Sequence, residues 1–289
     1  SRRGDGRLTL KGGVREVLAT EMLEALGVNT SKSFALFETG EQLWRGDEPS
    51  PTRSSVLTRL SHGHIRIGNF QRFAFFDDAE SIARLARYCL QHLLGEPLGD
   101  DAENAARLLD RVCSATAMLA ASYIAAGFVH GVLNSDNINI TGESFDYGPW
   151  RFAPEWDEEF VAAYFDEVGL YAFGRQPEAI HWDLAQLAGC LATIGEAPAL
   201  SDLLANWPER FQAALQERMM VRLGLDRGGE AEDRPLVSAM IAALRRGLAS
   251  GSAKPVLAST VSSRMILVKT LARFASCAPL RYMMFLNCE

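Results

Sequence analysis

Two loop-forming motifs constrain this chain more than any other feature of its sequence. The first, HGVLNSDN, spans residues 130–137, and the second, DYGP, spans residues 146–149. Asn137 and Asp146 carry hard oxygen ligands nine residues apart, so a loop and a short strand between them can direct both at one ion. Asp, Asn, Gly and Pro also suit ordinary turns, and either motif alone is weak. Together, at this spacing, they predict a metal site for nucleotide phosphates.

The first motif is similar to the protein-kinase pattern H-R-D-x-x-x-x-N, with one part exchanged. In that pattern the Asp accepts the substrate proton, the Asn holds Mg²⁺, and a following D-F-G supplies a second metal ligand. Here Val132 stands at the position of the catalytic Asp, while Asn137 and Asp146 keep the metal positions. We therefore expect the chain to hold a metal nucleotide without carrying out ordinary kinase chemistry.

Composition and charge exclude several classes of protein. The chain has 289 residues, of which 48% are hydrophobic and 22% charged, so it is long enough for one large or two modest cores. A net charge of -7 argues against a broad nucleic-acid surface. The five cysteines lie far apart without CxxC spacing, which favours a reducing cytoplasm over a zinc site or a disulfide framework. The uncharged residues 112–135 are interpreted as a buried helix leading into the first motif, and no membrane span is expected.

The order of predicted elements indicates an α+β fold. A helix is expected over residues 14–26, ended by Gly27, and a β-rich region and a helical region follow it. The expected strands are residues 33–38, 42–45, 55–60 and 70–76. The expected helices are residues 79–94, 102–126, 183–194, 200–215 and 235–248, with an exposed loop at 226–235. This order predicts a protein-kinase-like bilobal fold, with a truncated β-rich N-lobe at 1–77 and a mostly helical C-lobe at 78–289.

Two arginines are candidate phosphate ligands. Arg59 and Arg66 are forked donors seven residues apart in an otherwise apolar strand-turn-strand region, and Arg suits bidentate capture of phosphate oxygens. The alternative is a pair of solvated cations at a sheet edge. His62 and His64 lie between them with no partnering Cys or carboxylate in the sequence, so we interpret both as turn residues.

Glu16 lies on the first predicted helix, where a kinase has the Glu that pairs with a phosphate-binding Lys. No matching Lys precedes it in the chain. On the residues alone, Glu16 is expected to be a surface charge.

These residues together resemble the selenoprotein O family, also called the YdiU family, of kinase-like proteins that transfer AMP rather than phosphate. The resemblance covers residues 1 to about 195 and rests on many short runs in the same order. The matching runs are residues 3–7, 14–18, 25–28, 56–59, 64–66, 130–137, 146–149, 171–177 and 182–184.

The resemblance implies an inverted ATP, whose γ-phosphate enters the pocket where a kinase seats adenine, so that AMP passes to a Ser, Thr or Tyr hydroxyl of another protein. It implies Mg²⁺, with Mn²⁺ as the alternative, as the metal. The implied roles are phosphate binding by Arg59 and Arg66, further nucleotide contacts by Asp5, Gly6 and Glu16, metal binding by Asn137 and Asp146, and proton acceptance by Asp136.

Several departures from the family pattern affect these expectations. The Lys partner of Glu16, expected upstream of Ser1, is absent, so we expect weak ATP binding by this chain on its own. The resemblance is also lost after about residue 255, so we expect a fragment cut at both ends. Ala163, Tyr164 and Phe165 replace an Asn-His-Ser pattern, and Leu170 replaces an Arg. Two alternatives stay open, namely a protein kinase with a displaced base and a non-catalytic nucleotide-binding fragment.

Overall fold

The chain folds into a small antiparallel sheet followed by a larger set of helices. The computed structural model describes residues 6–46 and 49–250, with side chains up to residue 245. The strands are β1 (Leu8–Thr9), β2 (Lys32–Leu43), β3 (Thr52–Leu60), β4 (Phe128–His130) and β5 (Trp150–Phe152). The helices are α1 (Leu10–Ala25), α2 (Ile67–Phe75), α3 (Ala79–Tyr88), α4 (Asp101–Ala126), α5 (Gln176–Leu191), α6 (Ala197–Ala205), α7 (Trp207–Leu223) and α8 (Glu230–Ser250). Asp5, Cys277 and Cys288 lie outside the described residues.

The first three strands form one sheet in the order β1-β3-β2, with α1 packed against β2 and β3. The Thr9 hydroxyl accepts a hydrogen bond from the Gly12 amide at 3.0 Å and so caps the start of α1. The helix ends before Gly27, whose φ of 78° is the left-handed conformation that glycine accepts readily. The helix predicted over 14–26 is therefore confirmed.

The strand predicted at 55–60 is confirmed as part of β3, and the other three strand predictions need correction. The run at 70–76 is helical, because Ile67 and Phe70 follow helical spacing and both are fully buried as part of α2. Its many aromatic residues favoured a strand, but burial of one helical face decided the conformation. The runs predicted at 33–38 and 42–45 belong to one strand, β2, which has a register shift against β3 between Glu38 and Gln42.

The regions predicted to be helical are helical, but several helices begin or end at other residues than predicted. The helix expected at 183–194 begins at Gln176, and the one expected at 200–215 is two helices, α6 and α7, the second carrying Pro208 in its first turn. The loop predicted at 226–235 is shorter, because α8 begins at Glu230. The prediction at 79–94 holds as α3 followed by a π-helical turn at Cys89–Leu94.

Helix α4 is the centre of the helical region and contacts α5, α6 and α7. Asp100 and Glu103 form a capping box at its start, and Gly127 ends it in the left-handed conformation. Within the part of the chain that the structure describes, α4 alone is long and apolar enough to cross a membrane, but 72% of its most apolar window is buried inside the protein. Burial of this extent is typical of a helix in the hydrophobic core. Strands β4 and β5 pair directly after it, and the loop between them carries both sequence motifs.

Candidate functional site

His130 joins the two motifs. Its Nδ1 accepts a hydrogen bond from the Val132 amide at 3.3 Å, so Nε2 carries the proton and donates to the Phe145 carbonyl at 3.2 Å. Both ring nitrogens are used by the neutral form, and burial, the main influence, lowers the pKa of His130. The side chain therefore acts as a fixed connector that holds the end of β4 against the residue before Asp146.

Gly131 sets how closely the two motifs approach. Its amide donates to the Pro149 carbonyl at 2.7 Å, and a Cβ at this position would lie 2.5 Å from the same oxygen. No other residue type fits without moving one of the loops. The pair at Gly131 and Pro149 therefore fixes the distance between the residues that follow His130 and those that follow Asp146.

The two predicted metal ligands have oxygens free of protein hydrogen bonds among the described residues. The Asn137 amide nitrogen donates to the Val132 carbonyl at 2.6 Å, which leaves the side-chain oxygen available. Asp146 is exposed and has a φ of 64°, a left-handed backbone that is rare for a residue other than glycine. A free amide oxygen and a free carboxylate are hard donors and fit Mg²⁺ or Mn²⁺.

Asp146 keeps its unusual backbone because the residues around it are held by a buried polar cluster. The Tyr147 hydroxyl, buried against α4, donates to the Ser144 hydroxyl at 2.7 Å and also contacts Thr30. The backbone of Ser144 bonds with Asn29 and Ser31. A residue in a sparsely populated conformation persists only where its surroundings over-determine it, and such residues concentrate at functional sites.

Arg66 is placed beside the first motif by backbone pairing. Its neighbours Ile65 and Ile67 form hydrogen bonds with Ile140 and Ile138, at 3.0 and 3.2 Å. The Arg66 guanidinium then donates to the Asp136 carbonyl at 3.1 Å. This phosphate-ligand candidate is thus adjacent in space to a motif that follows it by about 70 residues.

The turn before Arg66 is tied to the same loop by a carboxylate that the sequence analysis did not consider. Glu143 is buried and accepts hydrogen bonds from the His62 amide at 2.9 Å and from its ring at 3.0 Å. The expectation that His62 lacks a carboxylate partner is therefore wrong, although its place in a turn is confirmed.

Arg59 and Arg66 both approach the ring of Phe145, the residue before Asp146. Their guanidinium carbons lie 5.3 and 6.0 Å from the ring centroid. The structure thus brings both arginines to the second motif, and Arg59 is not a solvated cation at a sheet edge.

Glu16 is buried, which corrects the expectation that it is a surface charge without a cation. Its carboxylate lies 3.5 Å from the Arg59 guanidinium. Burial raises the pKa of Glu16 to about 7, while Arg59 and a backbone hydrogen bond from Tyr147 act in the opposite direction and the nearby Asp146 adds to the rise. Within the described part of the chain, Arg59 is thus a cation partner of Glu16.

Asp136 is exposed at the first motif and packs against α2. Its amide donates to the Asn134 side chain at 3.0 Å, and a Cβ on Gly68 would lie 2.2 Å from its carboxylate oxygen. Gly6 is described and exposed, with a φ of 69°, whereas its predicted neighbour Asp5 is not described. Within residues 6–46 and 49–250, no group of three or more His, Cys, Asp or Glu side chains converges on one point.

Asp183 also lies near this site, although the sequence did not single it out as a candidate site residue. It is buried on α5, and burial raises its pKa to about 7, with a smaller rise from Asp136. The helical spacing of the sequence already indicates a buried carboxylate here, because Asp183 lies on the same apolar face as Ile180, Leu184 and Leu187.

Comparison with known proteins accounts for most of the chain. The model of the family described as protein adenylyltransferase SelO matches residues 1–251. Three cyanobacterial proteins, each named protein nucleotidyltransferase YdiU, are 49% identical over 230 residues (Synechococcus elongatus), 47% over 231 (Synechocystis sp.) and 46% over 241 (Gloeobacter violaceus). The matches cover 78%, 78% and 83% of this chain, and 46%, 48% and 50% of those proteins. The chain thus spans about half the length of these relatives, and it belongs to the SelO family.

Proposed function

We propose that this chain is the nucleotide-binding part of a protein adenylyltransferase with a kinase-like bilobal architecture, in which the described residues up to 77 form the first lobe and those from 78 to 250 the second. The observation that carries the proposal is the convergence of Arg59 and Arg66 on Phe145, beside Asp146 and the 130–137 motif. Two cations and two hard oxygen donors at one place suit a metal-bound triphosphate. Family membership supports the same reading.

The placement of the cations favours an inverted nucleotide. Arg59 is partly buried between Glu16 and Phe145, and Arg66 reaches the backbone carbonyl of Asp136, whose side chain is exposed. Distal phosphates held by the two arginines would leave the α-phosphorus nearer to Asp136. In this orientation the group that faces an incoming hydroxyl is AMP. Gly6 and the neighbouring Asp5 are proposed to contact the nucleotide as well.

Asn137 and Asp146 are the residues that would hold Mg²⁺ or Mn²⁺. When bound, the metal would neutralise charge on the phosphate oxygens. The side-chain hydrogen bond from the Asn137 nitrogen to the Val132 carbonyl fixes the amide group and leaves its oxygen for the metal.

The proposed reaction is an in-line displacement. The hydroxyl oxygen of a Ser, Thr or Tyr on the acceptor protein forms a bond to the α-phosphorus, the bond from that phosphorus to the bridging oxygen breaks, and pyrophosphate leaves. Asp136 takes the hydroxyl proton, because Val132 has no group that accepts one. The arginines stabilise the charge that develops on the departing pyrophosphate.

The partners of this function are ATP and a protein acceptor. A nucleic-acid partner and a membrane partner are not part of the proposal, because the net charge of -7 does not suit a polyanionic surface. A cytoplasmic location would supply both ATP and reduced thiols.

The deciding experiment uses ATP labelled at either the α- or the γ-phosphate. The longest natural chain that contains these residues is incubated with each label, Mg²⁺ and a mixture of acceptor proteins. We expect label on protein from the α-phosphate only, and loss of that label in Asp136→Asn. Protein labelled only from the γ-phosphate would establish a kinase with a displaced base, and no label from either position would favour a binding module.

A further inference from the structure

A short turn, residues 61–65, connects the two phosphate-ligand candidates. It leads from strand β3, which carries Arg59, to Arg66 at the start of α2. Both guanidinium groups lie over the Phe145 ring, at 5.3 and 6.0 Å from its centroid. The conformation of the turn sets the relative position of the two arginines, so the contacts that hold the turn bear directly on the proposed phosphate site.

Glu143 holds this turn from the loop between the two motifs. Its side chain is 2% exposed, and each carboxylate oxygen accepts a separate hydrogen bond, one from the His62 amide at 2.9 Å and one from the His62 Nδ1–H at 3.0 Å. The His62 ring is 80% exposed, so the pair lies at the boundary between the protein interior and solvent. Two acceptor oxygens that meet two donors of one residue fix both the position and the orientation of that residue.

Other groups of the same loop hold the second half of the turn. The Asn139 side-chain nitrogen donates to the Gly63 carbonyl at 2.7 Å. The Ile140 amide donates to the Ile65 carbonyl at 3.0 Å. These two hydrogen bonds lie next to Arg66, whereas the contact of Glu143 holds the half of the turn that follows β3. The loop therefore grips the turn on both sides, and Glu143 supplies the grip nearer to Arg59 along the chain.

The segment 143–146 connects the turn, the arginines and the proposed metal ligand. Glu143 binds the turn, the Phe145 ring contacts both guanidinium groups, and Asp146 follows directly. Ser144, between them, is fully buried and held by backbone hydrogen bonds. A shift of the turn against this segment would change the distance from the arginines to Asp146. In a reaction site, a misplacement of about 1 Å can cost about a hundredfold in rate.

Stability alone does not call for a carboxylate at position 143. An apolar side chain of similar volume in place of a buried polar pair is often neutral or stabilising, and the best-attested use of such a pair is to fix register. The carboxylate of Glu143 differs from an apolar side chain in direction, because each oxygen accepts from one defined donor of His62. Its specific contribution is therefore to the position of the turn.

We propose that Glu143 is a positioning residue for the triphosphate of ATP. Through His62 it holds the two arginines at the distance from Asp146 that matches the span between a metal-bound phosphate and the distal phosphates. Glu143 acts through these groups and does not touch the nucleotide. The inference rests on the proposed function, because it states how the cations and the metal ligand of that site are kept in register.

The test measures the affinities for Mg-ATP and for AMP by calorimetry, in the longest natural chain that contains these residues. Glu143→Leu removes both acceptor oxygens, and the ratio of ATP to AMP affinity should fall about tenfold, as for one lost charge-assisted contact to a phosphate. Partial unfolding lowers both affinities by the same factor and leaves the ratio unchanged. Glu143→Gln keeps an acceptor for the His62 amide and should restore most of the ratio. Glu155→Leu, which replaces an exposed carboxylate, is the control and should keep the wild-type ratio.

A second variant keeps the test open if Glu143→Leu does not fold. His62→Ala removes the ring donor and leaves the backbone contact, so the ratio should fall about threefold. A wild-type ratio in folded Glu143→Leu, or in His62→Ala if the first variant does not fold, would overturn the positioning role.

Transfer of label separates this inference from the proposed function. A wild-type ratio in folded Glu143→Leu, together with protein labelled from α-labelled ATP, would overturn the positioning role and leave the adenylyltransferase proposal standing. A ratio that falls in Glu143→Leu and recovers in Glu143→Gln, with no label transferred from the α-phosphate by the wild-type chain, would do the reverse.

Discussion

The guanidinium of Arg59 in β3 lies 3.5 Å from the carboxylate of Glu16 in α1, with Glu16 buried and Arg59 partly buried. The contact joins the helix to the sheet and holds Arg59 beside Phe145. Because burial raises the pKa of Glu16 to about 7, its charge is only partly developed near neutral pH. Arg59 therefore keeps positive charge available for a phosphate.

Removal of either arginine should weaken ATP binding without affecting AMP binding. We expect Arg59→Gln and Arg66→Gln each to lower ATP affinity by about tenfold or more, the effect of losing a charge-assisted hydrogen bond to a distal phosphate. AMP lacks those phosphates, so its affinity should not change. Calorimetry with both nucleotides measures this, with Arg84→Gln on α3 as the matched control.

The Arg59 variant needs its own control, because it leaves the Glu16 carboxylate buried without its cation. The double variant Glu16→Gln/Arg59→Gln removes both charges and should recover stability but not ATP affinity. Unchanged ATP affinity in all these variants would remove the arginines from the phosphate site.

Asp146→Gly should lose metal-dependent ATP binding while keeping or gaining stability. Glycine accepts the φ of 64° without strain, so the free energy of unfolding should stay the same or rise by up to about 1 kcal/mol. The carboxylate is lost, so added Mg²⁺ should no longer strengthen ATP binding. Asp77→Gly is the matched control, since Asp77 also has a positive φ of 52°. A wild-type Mg²⁺ effect in Asp146→Gly would show that the metal is held elsewhere.

Asp183→Asn should stabilise the chain, and more so at high pH. The folded-state pKa of Asp183 is raised from 3.8 to about 7, so the folded state favours the protonated form. Its contribution to stability is present below pH 3.8 and is lost as the pH rises to about 7. Asparagine does not ionise, so the variant keeps its free energy of unfolding over this pH range. Its advantage in unfolding free energy should grow over that range to a few kcal/mol, on the order of 1.4 per pKa unit.

Denaturant titrations at several pH values measure the Asp183 effect. Tyr171, Arg175, Glu178 and Asp136 also face or influence this region, and the difference between wild type and variant at each pH cancels their common contribution. A difference that is constant from pH 4 to 8 would contradict the prediction.

Gly131→Ala should disrupt the contact between the two motifs. Its Cβ would meet the Pro149 carbonyl oxygen at 2.5 Å, so one loop must move, at a destabilisation of about 1–3 kcal/mol. Gly148→Ala is the control in the neighbouring motif, because its Cβ has no atom within 4 Å. Thermal unfolding of the two variants measures the difference. Equal stability would mean that the loops tolerate separation.

The sequence was sufficient for features that depend on local pattern. The helices expected at 14–26, 79–94 and 102–126 follow from apolar spacing, and Gly27 was predicted to end the first of them. The two loop motifs were recognisable because polar and turn-forming residues stand at fixed spacing after an apolar helix. The family resemblance rests on the same motifs, and the family match over residues 1–251 confirms it.

Tertiary structure alone decided which distant residues meet. Segment 70–76 is aromatic enough for a strand, yet it forms α2 because Ile67 and Phe70 bury one helical face. Glu16 had no visible partner, because Arg59 follows it by 43 residues and only sheet packing brings them together. Asp183 lines a cleft whose walls come from three separate segments of the chain. Local periodicity encodes each element by itself, whereas the charge environment of a side chain depends on which elements pack around it.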